Sequence, residues 1–238
     1  MKVRFLDFRM EQKPNADYAD LYIFDEIGER KDWWTGDLVG FGPKKLIEAL
    51  DEVTADTIHV HINSNGGDVF EGIVVYNLLK NSGKTIHTYV EGIAASIASV
   101  IAMAGETVNM GKTSMLMIHN CYTFAIGNSK ELRKIADDMD VTMESIRKAY
   151  LDHISISEDE LKELLDSESY LTSDKCLEMG FCDNITDVKA EEKEDEPSED
   201  EEETEEVEEA PEEDEKIENK GKKANVEMQS MQTHWFFS

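Results

Sequence analysis

The chain has 238 residues and a formal net charge of −29, from 53 Asp and Glu against 24 Lys and Arg. That balance repels phosphate backbones and argues against nucleic acid as a partner. The three cysteines, Cys121, Cys176 and Cys182, form no C-x-x-C pair and suit a reducing compartment better than a disulfide framework; with no apolar leader at the N-terminus, the expected location is the cytoplasm.

In chain order, Thr57 to Asn63 alternates Ile58, Val60 and Ile62 with Thr57, His59 and His61, which predicts a strand with one apolar face. A turn follows at Ser64 to Gly67. Val69, Ile73, Tyr76 and Leu79 then recur at helical spacing, and the β-branched run Thr85 to Val90 predicts a second strand, joined to the first by a parallel crossover. Gly92 to Ala104 is predicted as a helix of small residues; with Gly105, it is too short to cross a bilayer and is bracketed by Glu91 and Glu106, so no membrane span is expected. Short strands are expected at Thr107 to Met110 and Ser114 to His119. Asn128 with Glu131 three residues on is a capping box, opening a long helix to about His153 with Leu132, Ile135, Met139 and Ile146 on one side. Ser157 with Glu160 opens a shorter helix in the same way. A last helix, capped by Thr172 or Ser173, should stop at Gly180, and Phe181 to Ile185 closes an α/β domain spanning residues 1–188. From Ala190 to Ile217 there are eighteen Asp or Glu against two Lys, so residues 189–238 are expected to be a disordered acidic tail with a basic and aromatic end at Lys220 to Lys223 and His234 to Phe237.

Three places carry possible chemistry. Ser96 follows a strand among Gly and Ala, where small neighbours let a peptide backbone approach a hydroxyl; the competing role is a helix cap in a closely packed helix pair. Gly66-Gly67 ends a strand and precedes a helix, so its amides form either an anion cradle or a tight turn. His119 ends the apolar run from Met115 and should emerge where loops converge, placed to take and return a proton. His59 and His61 share a strand face, but no third ligand stands at metal-site spacing, and neither a metal nor a cofactor is expected. Gly111-Lys112-Thr113 resembles the end of a phosphate loop, yet Glu106 stands where that loop needs glycine. Cys121, two residues from His119, is expected to pack and not to attack.

In order, these features read strand, Asn-Ser-x-Gly-Gly, helix, strand, G-x-A-A-S, helix, strand, Met-Ile-His, long helix. The pattern over residues 57–185 resembles the Clp protease proteolytic subunit, and INSNGGDVFEG, GIAASIASVIAMAG and MIHN are most similar to the ClpP-like head maturation proteases of tailed bacteriophages. The resemblance implies a ClpP/crotonase-like repeated β-β-α superhelix and a serine endopeptidase, with Ser96 as nucleophile, His119 as base, and the amides of Gly67 and Ile97 as the oxyanion hole. The family's orienting aspartate lies shortly before an aromatic-Leu-Ser/Thr segment, here Tyr170 to Thr172; Asp166 is the first choice, with Glu168 or a dyad left open. Asn65 stands where the family usually has proline. In residues 1–56, Asp32 to Thr35 and Lys44 to Leu50 are left as a first turn and helix. The implied partners are protein or peptide substrates, other copies in a homo-oligomeric ring, and either phage scaffold and capsid proteins or an AAA+ unfoldase. A crotonase-like acyl-CoA enzyme is the alternative that needs no Ser-His pair.

Overall fold

The computed structural model describes residues 8–12, 16–31, 33–36 and 38–186. All belong to the unit ending at Glu192, and the expected acidic tail with its aromatic end, together with Asp32, lies outside the described residues.

A central sheet begins with two strands that the sequence pattern left unassigned, β1 (Phe8–Glu11) and β2 (Tyr18–Ile23), paired antiparallel. Strand β2 buries Ala19, Leu21 and Ile23 on one face and runs parallel to the strand that carries Ile58, Val60 and Ile62. Between them come the small ribbon β3 (Arg30–Lys31) and β4 (Leu38–Val39), and helix α1 (Pro43–Glu52), which Pro43 opens at a position where its missing N–H costs nothing.

Strand β5 (Thr57–Ser64) has the predicted alternation, with Ile58, Val60 and Ile62 fully buried. Helix α2 (Val69–Lys80) begins at Asp68, whose carboxylate accepts from the Glu71 amide at 2.9 Å. The crossover returns to β6 (Thr85–Ala95), parallel to β5. Here the structure corrects the expected helix from Gly92: the chain stays extended through Ala95, and helix α3 covers only Ile97–Ala102. The cause is a change of partner. Strand β6 pairs with β7 (Thr107–Gly111) from His87 to Val90, then with β8 (Met115–Ile118) from Ile93 to Ala95, so the ladder keeps the small residues extended.

Both capping boxes form, opening α4 (Ser129–Leu151) at Asn128 and α5 (Glu158–Asp166) at Ser157. Helix α4 packs only through its second half, where Met143, Ile146, Ala149 and Tyr150 are buried; Leu132, expected on its packed side, is exposed. Strand β9 (Ser169–Thr172) pairs antiparallel with β8. Helix α6 (Ser173–Met179) stops at Gly180, in the left-handed region at φ 83°, and β10 (Asn184–Thr186) closes the sheet beside β7. Among the described residues no helix is long and apolar enough to cross a membrane.

Candidate active site

The change of partner along β6 delivers Ser96 to a one-residue elbow. Ala95 still pairs with Met117, the Ser96 amide donates to the Met117 carbonyl at 2.8 Å, and Ile97 already starts α3. To turn that sharply Ser96 takes φ 53°, one of two positive-φ residues other than glycine among those described. Such a conformation costs on the order of 1–3 kcal/mol and persists only where the surroundings hold it. Ser96 makes no side-chain cap bond to the helix, which removes the capping role as the reason for a hydroxyl here.

His119 stands one residue beyond β8, the strand that flanks the elbow, and its Nε2 lies 2.7 Å from Ser96 Oγ. With the ring proton on Nδ1, Nε2 accepts from the serine hydroxyl, the arrangement that general-base activation needs. Burial pushes the His119 pKa below its ordinary value, and the negative charge of Glu168 acts in the opposite direction. The imidazole is therefore held neutral and able to accept.

The two glycines are fixed by close approach. A Cβ on Gly66 would lie 2.8 Å from Ser96 Cβ and 3.2 Å from the Ile97 nitrogen, and one on Gly67 would lie 2.0 Å from the Ile27 carbonyl oxygen. Gly66 and Asp68 bond to Ile27 on either side of Gly67, leaving the Gly67 amide without a hydrogen-bond partner among the described residues, as is the Ile97 amide at the start of α3. Unpaired amides beside a hydroxyl that meets an imidazole have the arrangement a developing oxyanion would require.

The structure does not bring Asp166 to His119. Its Oδ1 accepts from Asn120 Nδ2 at 2.7 Å, so it fastens the residue next to the histidine. The antiparallel register explains this. Ile118 pairs with Ser169, so one step further sets His119 opposite Glu168, and Asp166 falls two residues beyond. Glu168 is the second non-glycine residue at positive φ, at 47°. The positive φ of Glu168 is not visible in a sequence, although its place immediately before the Ser169–Thr172 strand is.

The cleft beside the pair is lined by Val69, Ile97, Val100, Cys121, Ile146 and Tyr150. Burial raises the Cys121 thiol pKa, favouring the protonated thiol, and the side chain packs against the core. A larger groove of about 490 Å³ between α1 and α2 is lined by neither Ser96 nor any histidine. His59 and His61 lie on the outer face of the sheet, stacked on Tyr18 and Tyr22, and His61 is bonded to Glu91 and Asp20.

A sequence model of the Clp protease family matches residues 44–189. The chain is 29% identical over 133 residues to the ATP-dependent Clp protease proteolytic subunit 1 of Prochlorococcus marinus (strain NATL2A), covering 54% of this chain and 66% of that one. It is 27% identical over 137 residues to the proteolytic subunit 2 of Synechococcus sp. (strain CC9605), covering 56% and 68%. The chain thus spans about two thirds of the length of the curated relatives it matches. Among solved structures, a mutant of ClpP1 from Listeria monocytogenes superposes with a TM-score of 0.59 over 71% of this chain and 91% of that one, at 19% identity, a likeness of fold. With the family match covering more than half its length, the chain belongs to the Clp protease family, a family of serine-type peptidases.

Proposed function

We propose that the chain is a serine endopeptidase working through an acyl-enzyme, with Ser96 as nucleophile, His119 as general base and acid, and Glu168 as the carboxylate that orients the imidazole. The observation that carries this is the 2.7 Å contact between Ser96 Oγ and His119 Nε2. Oγ attacks the peptide carbonyl carbon as its proton passes to Nε2. The oxyanion is held by the amides of Gly67 and Ile97. When the C–N bond breaks, the Nε2 proton goes to the departing amine and leaves an ester on Ser96; water then attacks that ester as His119 takes its proton, and His119 returns the proton to Ser96 Oγ as the Oγ–C bond breaks and the acid leaves. A crotonase-like acyl-CoA enzyme would need the amides but not the Ser-His pair.

The test is intact-mass analysis after incubation with a fluorophosphonate. One adduct is expected on the parent chain and none on Ser96→Ala or His119→Ala; a parent that never reacts overturns the proposal. The narrower reading, supported by the INSNGGDVFEG, GIAASIASVIAMAG and MIHN segments, is a homo-oligomeric, cytoplasmic peptidase that trims phage scaffold and capsid proteins. Cleavage of folded scaffold by the chain alone would support it. Cleavage only in the presence of an AAA+ unfoldase and ATP would favour a housekeeping role instead.

A further inference from the structure

Helix α4 reaches the nucleophile through two hydroxyls. Tyr150, fully buried in the last turn of α4, has its phenol oxygen 2.7 Å from Ser99 Oγ, and Ser99 Oγ lies 2.5 Å from the carbonyl oxygen of Ser96. The Ser99 amide donates to the same carbonyl at 3.0 Å. The direction of the bonds follows from counting protons. A serine hydroxyl has one, and Ser99 gives it to the Ser96 carbonyl, so Tyr150 donates to Ser99; this is the arrangement in which no buried hydroxyl proton is left unpaired.

The consequence lies on the other side of the peptide bond. The Ser96 carbonyl and the Ile97 N–H belong to one planar trans unit and point in opposite directions, so fixing the first fixes the second. We infer that Tyr150 and Ser99 are positioning residues that hold the Ser96–Ile97 peptide plane so that the Ile97 N–H faces the oxyanion. Donation into the carbonyl also polarises the peptide, making its N–H a stronger donor. The plane needs this support because Ser96 is held at a positive φ, from which its peptide would otherwise rotate away.

This rests on the peptidase assignment above, and the experiment separates the two. The rate of fluorophosphonate labelling is measured on the full chain and resolved into a maximal rate and a half-saturating concentration, for the parent, Tyr150→Phe, Ser99→Ala and the double variant. Outright loss of an oxyanion donor costs about 10²–10³ in rate, so misaligning one is expected to lower the maximal rate by about tenfold in each single variant. The half-saturating concentration and the pH midpoint set by His119 should not move. Ser99→Ala strands a buried phenol and should lower the melting temperature; the double variant, with both hydroxyls gone, should regain much of that stability while the rate stays low. Single variants labelled within about twofold of the parent, or a double variant that regains rate together with stability, overturn the positioning role while leaving Ser96 as nucleophile. A parent that never labels overturns the peptidase assignment and this inference with it.

Discussion

His119 is pulled two ways, and the balance makes its role measurable. Burial lowers its pKa from the ordinary 6.5, and the Glu168 carboxylate resists. The form that accepts the serine proton is neutral, so a lowered pKa keeps it available in mildly acidic solution: labelling of Ser96 should rise with pH through a midpoint below 6.5 and level off above it. Glu168→Gln removes the influence that raises the pKa, so the midpoint should move lower still. The plateau should fall by about 10²-fold or more, because the imidazolium formed during attack loses its counter-charge. Asp166→Asn touches only the exposed bond to Asn120 and should change the rate by less than about fivefold, with no shift of midpoint. A pH profile of labelling for the two variants decides between the carboxylates. Should Asp166→Asn be the damaging change, the register argument is wrong.

At the scale of elements, the site depends on how closely α2 approaches α3. Gly72, at the end of the first turn of α2, faces Ile97, and a Cβ there would lie 2.2 Å from Ile97 Cγ1. Alanine gains roughly 1 kcal/mol of helix propensity over glycine, but overpacking costs typically 1–3 kcal/mol. The clash should win: Gly72→Ala is expected to lower stability in urea by about 1–2 kcal/mol and to slow labelling, since the Ile97 amide is a proposed oxyanion donor. Unchanged stability together with full labelling would show that the two helices part without disturbing the site. Much of this layer is legible in the sequence, because alternation in Thr57 to Asn63 and the boxes at Asn128 and Ser157 are local signals. The extension of β6 is not. Gly92 to Ala95 has small side chains compatible with either state, and the choice is made by pairing with Met115 to Met117, twenty-two residues further on. Strand β2 does show alternation at Ala19, Leu21 and Ile23, but its ladder depends on distant β5. The Ser96–His119 contact is legible in part, because His119 ends a locally defined strand while Ser96 reaches it only through the β6–β8 pairing; the choice of Asp166 rests on no local signal, and two residues of register separate it from Glu168, which the proposed mechanism uses.

The molecule as a whole carries two opposed features, a net charge of −29 and a run of uncovered apolar side chains. Between β8 and α4, Tyr122, Phe124 and Ile126 are 78%, 89% and 86% exposed in a segment with no strand partner among the described residues, and Val141 on α4 is 67% exposed. Apolar groups left in water at this density favour association, and the proposed homo-oligomer would cover them. Like charges on every copy oppose it. Salt screens the repulsion but leaves apolar burial intact, so assembly should strengthen from about 0.05 to about 0.5 M salt, as the Debye length falls from about 14 to about 4 Å. Sedimentation velocity at the two salt concentrations measures this, with a larger assembled fraction expected at the higher one. Phe124→Asp adds charge and removes apolar area at once, and it should shift the population toward the monomer at both. If assembly instead weakens as salt rises, ion pairs and not the exposed aromatic run hold the copies together, and the segment after His119 must then be covered by substrate or left in water.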